Sequence, residues 1–390
     1  MRYLDLGVMP PVPAQKSKKS KKKFILWGIL LAFVTIIGFT GYVFYWPISS
    51  LISQMLQNPG VALSFFRPSE EQIKATDGKT NILVLGIDKR SNVPYTYLGP
   101  GGKQAHNGFL SDTIIIASID RTSKKVSLIS IPRDTWIALP NWSGFSDSYG
   151  KINSTYSLGD TYNYPGGGLK LARDVVEKHL GITIHYAARV DFEGFRKIID
   201  TLDGIDVTVK TTFDDYAYPV EGKESASCAG GGYYCRYEHI RFNKGKVHMN
   251  GATALKYARS RSGTNGEGSD FARAKRQQNV ITAAFKKATS LGTLFDPLKL
   301  RTLFGQFGET VLTDFDLGSL PSAVKLAKEI DISSIRTFVL DPSSGLMVHP
   351  ANAGPYGGAY VIIPKNNNWG PVKIKIKEFL TPTVTTKETK

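Results

Sequence analysis

Residues 24–46 form an unbroken stretch of 23 residues without a charged side chain, apolar almost throughout. A helix of that length is about 34 Å long, enough for a bilayer core of roughly 30 Å. Tyr42, Tyr45 and Trp46 gather at its far end, where amphipathic rings favour the headgroup level, and Pro47 ends the helix. Arg2 and six lysines (Lys16, Lys18, Lys19, Lys21, Lys22, Lys23) precede it, against Asp5 alone. Lysines at one end of a span mark that end as cytoplasmic. The sequence predicts a basic, disordered tail over 1–23 and a transmembrane helix over 24–46. The protein is expected in the plasma membrane as a single-pass type II protein, its main domain extracytoplasmic. A cleaved signal peptide has a shorter apolar core, about 7–15 residues, and a small-residue exit, which this segment lacks.

Across 390 residues, 49 Lys and Arg face 33 Asp and Glu, a net charge of +16. Such a surplus points to nucleic acid, membrane lipid or a phosphorylated substrate. Placed against a membrane span, the lysine run reads as a contact to anionic membrane lipid and not to nucleic acid. Apolar residues at 42% exclude a disordered, collagen-like or coiled-coil chain. Two cysteines exclude a disulfide-dense scaffold and a Cys-rich zinc site. Cys228 and Cys235 flank Gly230–Gly232 in a polar stretch. An oxidising compartment would close them into a disulfide, contributing about 2.5 kcal/mol in the chain-entropy model.

Residues 47–78 read as a linker. Apolar runs at 82–87, 113–119 and 125–131 have strand length, and the polar gap at 120–123 predicts a hairpin between the last two. Helices are expected near 169–180, closed by Gly181, and near 192–202, closed at Gly204, with strands at 183–190 and 205–209. Residues 210–248 read as loop-rich, followed by helices near 250–258 and 270–289. Hairpins mixed with crossovers predict an α/β/α sandwich around a mixed central sheet. The main domain is expected over 79–290 and its C-terminal continuation over 291–380, with further apolar runs at 337–340 and 359–363. Residues 381–390 are expected to be a disordered tail.

Asp88 follows the first strand, with Lys89 and Arg90 behind it, and Asp112 precedes the second. Pairing of those strands would bring both carboxylates to one end of the sheet, where open α/β sheets bind ligands. Two carboxylates beside basic groups suit Mg²⁺ holding a polyphosphate. Each Asp alone reads equally as a turn or cap residue. Arg133, in Pro132-Arg133-Asp134, reads as one half of a surface ion pair. Residues 257–278 carry Arg259, Arg261, Arg273, Lys275 and Arg276. Arg259 and Arg261 point the same way in an extended segment. Gly263, Gly266 and Gly268 then make a mobile connection, Ser269 caps the next helix, and Asp270, Arg273 and Gln277 share one helix face. Arginine suits bidentate recognition of a doubly charged group; a solvated basic helix is the alternative. The six histidines lack close metal-ligand spacing, and no Ser–His–Asp arrangement is legible.

In order along the chain stand NILVLGIDKR, SDTIIIASIDRTSKKVSLISIPRDTWI, KINSTYSLG, GLKLARDVVEKHLGITIHYAARVDFEGFRKIIDTLDGIDVTV, GKVHMNGATALKYARSRS and SDFARAKRQQNVI. Taken together, over 81–288, they resemble the LytR–CpsA–Psr family of membrane-anchored cell-envelope proteins. The closing GGAYVIIPKNNNWGPVKIKIKEFL is similar to extensions of family members. The resemblance implies transfer of a phosphoglycosyl polymer from a polyprenyl-pyrophosphate carrier to peptidoglycan, with Mg²⁺ as cofactor. It implies that Asp88 and Asp112 hold the metal and that Arg90, Arg133, Arg259, Arg261, Arg273 and Gln277 bind the pyrophosphate. Asp270 would orient the arginines, and Lys151 and Asn153 would line the same site. Many members have an arginine where this chain has Leu110, and the 91–110 loop is long. A muramyl hydroxyl can attack directly, so no protein nucleophile is required. Binding of lipid-linked glycan without turnover, and hydrolysis of the pyrophosphate, are the other two readings.

Overall fold

The computed structural model describes residues 73–88, 96–98, 104–106, 109–143, 145–146, 149–223, 226–290, 310–316 and 319–381. The basic tail, the 24–46 span, Arg90 and residues 382–390 lie outside these. Among the described residues no helix is long and apolar enough to cross a membrane.

Four strands form the middle of the fold: β1 (Lys79–Ile87), β2 (Ser111–Asp120), β3 (Val126–Ser130) and β4 (Tyr186–Asp191). β1 alternates, with Leu83, Leu85 and Ile87 fully buried on one face. Val84 and Gly86 fall on the opposite face and are only half-buried. β1 and β2 pair antiparallel, β2 and β3 form the expected hairpin, and β1 and β4 pair parallel. The hairpin turn closes when the Asp120 carboxylate accepts from the backbone N–H groups of Thr122 and Ser123. Residues 336–339 and 311–313 supply the edges.

The helices are α1 (Thr155–Thr161), α2 (Gly167–Leu180), α3 (Phe192–Thr201), α4 (Gly251–Arg259), α5 (Asp270–Ser290), α6 (Leu320–Glu329) and α7 (Gly370–Leu380). Gly181, at φ +68°, ends α2 as the sequence predicts. Leu171, Val175 and Val176 of α2 and Val372 and Ile376 of α7 pack on one face of the sheet with Leu83, Leu85 and Ile116. On the other face, Ile115 and Leu128 meet Ile281 and Phe285 of α5. This is the expected mixed sheet with helices on both faces.

The 205–209 strand, β5 (Ile205–Val209), leaves the central sheet and pairs with β8 (Gly245–Met249). Residues 210–248 are not mainly loop. They hold β6 (Phe213–Pro219) and β7 (Tyr237–Phe242), paired antiparallel. Phe213, Tyr218, Ile240 and Phe242 are buried, but a register shift between Asp215 and Tyr218 breaks the alternation of β6, and intervening Asp, Arg and exposed Tyr dilute it further. Central-sheet edges come from β9 (Val311–Thr313) and β10 (Arg336–Val339), giving the order β9-β4-β1-β2-β3-β10. The 359–363 run yields only a short strand at Ile363–Pro364 and a bridge from Ile362 to Thr135. Ile73, within the expected linker, is buried against Tyr186 and Leu326.

Two buried histidines fasten the sheet to its surroundings. His185 Nδ1 accepts from the Asn81 N–H at 2.9 Å, so its Nε2–H faces Thr76 Oγ1. His179 Nε2 accepts from the Ala138 N–H at 3.3 Å, and its Nδ1–H donates to the Val175 carbonyl at 2.8 Å. Burial pushes both imidazoles below the usual histidine value. A base depressed in the fold takes up its proton more readily when unfolded. Stability is therefore expected to fall as pH drops below about 6.5, by at most about 1.4 kcal/mol per pH unit for each histidine. Thermal melting of wild type and His185→Gln between pH 7.5 and 5 checks this. The variant should lose part of the acid sensitivity.

Candidate functional site

Strand pairing puts the two predicted carboxylates together. Ile87 pairs with Ser111 and Gly86 with Thr113, so Asp112 sits on a bulge beside the end of β1, where Asp88 follows. Gly86 permits this, because a Cβ there would lie 2.8 Å from Thr113 Cβ. Asp88 and Asp112 both line a cavity of about 970 Å³ between the sheet and α3, α4 and α5. Two oxygen-donor carboxylates suit a hard cation that keeps its other ligands from water and phosphate. Among the described residues no cluster of three or more His, Cys, Asp or Glu offers an all-protein metal cage.

Arg133 is no stray surface pair. Its Nη1 donates to Asp112 Oδ1 at 2.9 Å, and its Nε lies 3.4 Å from Asp134 Oδ2 and 3.3 Å from Asp270 Oδ2. Burial opposes its charge, but Asp112 and Asp270 outweigh that and raise its pKa further. Lys151 Nζ donates to Asp134 Oδ1 at 2.6 Å and also lines the cavity. Asn153 does not. It is buried behind, its backbone N–H reaching the Arg133 carbonyl at 3.3 Å.

Asp270 opens α5 and gathers three arginines. Arg261 Nε donates to it at 2.8 Å, Arg273 Nη1 lies 3.6 Å away, and Arg133 completes the set. Burial pushes the Asp270 pKa up, but Arg273, Arg261 and Arg133 more than offset this and hold it low. Arg273 is nearly buried, and burial lowers its pKa. Arg273 also feels the Asp112 charge, and its Nη2 donates to the Asp112 carbonyl at 3.4 Å, whereas among the described residues Arg261 has no carboxylate partner but Asp270. Arg259, the last residue of α4, has none. Its guanidinium lies over the Phe192 ring at 4.1 Å, and its Nη1 donates to Tyr218 Oη at 3.2 Å. Gln277 lines the cavity and donates to the Ala258 carbonyl at 3.4 Å.

The Gly-rich connection between α4 and α5 is pinned rather than loose. Asp215, buried, accepts from Ser260 Oγ at 2.7 Å and from the Ser262 N–H at 3.2 Å, clamping the backbone on both sides of Arg261. The Thr264 N–H donates to the Asp214 carbonyl at 2.9 Å. Arg276 points away from the cavity. It donates to the carbonyls of Tyr257, Ser260 and Glu267 and pairs with the Glu267 side chain. Ser269 caps α5, accepting from the Ala272 N–H.

Sequence reasoning missed Phe192, Tyr218 and Asp215. It also missed the apolar walls: Val84, Val190, Phe195, Ile198, Ile281 and Ala284. Phe195 and Ile198 stand at i, i+3 on α3, a spacing that also describes a core-facing helix. In the disulfide loop the Cys228 and Cys235 sulfurs are at bonding separation, with Cα atoms 5.5 Å apart.

The mixed α/β sandwich thus carries a cavity lined by carboxylates, arginines and apolar walls, an arrangement that suits an amphipathic anion. The model of the LytR_cpsA_psr family matches residues 60–358, and the chain belongs to that family. The polyisoprenyl-teichoic acid–peptidoglycan teichoic acid transferase TagU of Oceanobacillus iheyensis is 28% identical over 307 residues, 78% of this chain and 81% of TagU. The regulatory protein MsrR of Staphylococcus aureus is 28% identical over 306 residues, 78% and 75% of the two chains. The crystal structure of Bacillus subtilis TagV superposes with a TM-score of 0.52 at 26% identity, over 79% of this chain and all of TagV.

Arg276 and Arg261 should respond differently to mutation. Arg276, 2% exposed, leaves three carbonyls and Glu267 unpaired when replaced, so Arg276→Met should cost about 3–5 kcal/mol. Arg261, 48% exposed, should give an Arg261→Ala protein that melts within about 1 kcal/mol of wild type and binds inorganic pyrophosphate more weakly. Denaturant unfolding and calorimetric titration of both variants check this.

Proposed function

We propose that this protein transfers a glycopolymer, as its phosphoglycosyl unit, from a polyprenyl-pyrophosphate carrier to peptidoglycan. The observation that carries the reading is Arg259. It is half-buried at the mouth of an apolar cavity and has no carboxylate partner among the described residues. An arginine placed so, beside Arg261 and Arg273 sharing one Asp270, calls for a multiply charged anion. The apolar walls behind call for a hydrocarbon tail on that anion. TagU, by its name, acts on a polyisoprenyl-linked teichoic acid and peptidoglycan, which agrees with this pairing.

In the proposed reaction an acceptor sugar hydroxyl forms a bond to the sugar-side phosphorus. The bridging P–O bond breaks, its electron pair leaves with the lipid phosphate, and the acceptor proton is released. Arg133, Arg259, Arg261 and Arg273 stabilise the charge that grows on the leaving phosphate, and Asp270 keeps three of them aimed. Asp88 and Asp112 would hold Mg²⁺, which supplies charge neutralisation at the phosphate oxygens. The 24–46 segment would anchor the domain outside the plasma membrane, near a membrane-borne carrier, where the Cys228–Cys235 disulfide is stable.

The test incubates the purified protein with a lipid-pyrophosphate glycan, Mg²⁺ and peptidoglycan fragments. Glycan joined to peptidoglycan is the expected product. Free glycan phosphate would mark a hydrolase, and unchanged bound donor a binding protein. Arg259→Ala should abolish transfer and weaken donor binding by about 1.5–3 kcal/mol, the size of a lost charged hydrogen bond. Asp88→Asn and Asp112→Asn should each raise the Mg²⁺ concentration needed for half-maximal transfer.

A further inference from the structure

At one side of the cavity mouth the chain places two rings that the proposed transfer chemistry does not use. Tyr360 lines the cavity and is 52% exposed. Its ring stacks on that of His349, with centroids 4.4 Å apart and planes inclined by 24°. His349, also exposed, is held through Nδ1 by the Val361 carbonyl at 2.9 Å. The next residues after Tyr360 are fixed. Val361 and Ile362 are buried, the Ile362 N–H donates to the Asp134 carbonyl at 2.9 Å, and the Trp136 N–H donates to the Ile362 carbonyl at 2.8 Å. The pair is thereby bolted to the segment that carries Arg133 and Asp134. Burial raises the Tyr360 pKa, and Asp134 and Asp270 raise it further, so its hydroxyl stays a hydrogen-bond donor facing the charged mouth. The family match ends at residue 358, just before this ring.

Exposure alone would say little; what marks Tyr360 is that this ring lines the cavity and is held rigidly beside the Arg133–Asp134 segment, where a sugar joined to the pyrophosphate would lie. A pyranose suits it. The apolar C–H face of a sugar ring packs on the aromatic face, while its hydroxyls remain in water or reach the phenol.

We propose that Tyr360, backed by His349, is a sugar-binding ledge on which a pyranose ring sits at the mouth of the cavity. The proposal rests on the pyrophosphate reading of that cavity and adds the saccharide beside it. Donor and acceptor glycans present the same ring chemistry, and the experiment separates them.

Binding to the full chain in detergent is measured for three probes: geranylgeranyl pyrophosphate, geranylgeranyl-pyrophosphoryl-N-acetylglucosamine and a peptidoglycan tetrasaccharide. Wild type is compared with Tyr360→Ala, Tyr360→Phe and His349→Ala. Tyr360→Ala should weaken a sugar-bearing probe about five- to tenfold more than it weakens geranylgeranyl pyrophosphate, the size of a lost ring contact. Tyr360→Phe should restore most of that difference, and His349→Ala should lose part of it. A loss confined to the prenyl-linked sugar places the donor on the ledge, and a loss confined to the tetrasaccharide places the acceptor there. Equal effects on all three probes, or none on either sugar probe, would overturn the ledge while leaving the pyrophosphate reading intact. Failure of wild type to bind geranylgeranyl pyrophosphate would instead remove that reading, and the ledge with it.

Discussion

Three guanidinium groups meeting one carboxylate, Asp270, hold the site together. They arrive from separate places: Arg133 from the segment after β3, Arg261 from the connection after α4, and Arg273 from α5 itself. Each must be positioned by something else, since one carboxylate cannot fix three cations. Arg133 is held by Asp112 and Asp134, Arg261 by the Asp215 clamp around it, and Arg273 by burial in the helix–sheet interface. Bringing these groups together requires the β1–β2 bulge, the β2–β3 hairpin and the docking of α5 on the sheet. The cost of crowding like charges is offset by Asp270 together with Asp112 and Asp134, and the doubly charged ligand proposed above would add to that compensation.

Behind this mouth the wall changes character within a few residues. Val84 alternates to the cavity face of β1, one residue away from the buried Leu85, and Val190 does the same in β4. Helices α3 and α5 close the space with Phe195, Ile198, Ile281 and Ala284. A tail lying there gains roughly 0.8 kcal/mol per buried methylene, and the arginines set where its charged end must stop. Apolar walls and charged groups in one cavity thus suit the molecule proposed above, one with a long hydrocarbon chain and a polyphosphate head. The same logic separates Arg276 from its neighbours. It carries the same charge on the same helix as Arg273, yet turns inward to three carbonyls and serves the backbone.

Much of this was legible in the sequence because it depends on local periodicity. The continuous apolar runs at 82–87 and 113–119, the polar gap at 120–123 and Gly181 after an amphipathic helix each act over a few residues. The shared helix face of Asp270, Arg273 and Gln277 was readable for the same reason. What stayed hidden depends on pairing over long separations. Arg133 and Asp270 stand far apart in the chain, and no local pattern marks Asp215 as the clamp for Arg261. The 213–242 strands were obscured because Asp215 and exposed tyrosines interrupt their alternation. The cavity itself was invisible, since residues facing an empty apolar space and residues facing a filled core are chosen from the same set. Asn153 shows the opposite error. Its motif lies against the site, but the residue supports Arg133 from behind.

The central claim is that the cavity between the sheet and α3–α5 receives a prenyl chain while the arginines grip its pyrophosphate. Photo-crosslinking with a prenyl pyrophosphate carrying a benzophenone at its tail tests this most directly, read by mass spectrometry of the labelled peptides. Label on Phe195, Ile198, Ile281 or Ala284, competed away by geranylgeranyl pyrophosphate and lost in Arg259→Ala, is the predicted result. Label on the outer surface of α7, around exposed Ile374, or label that persists under competition, would contradict it.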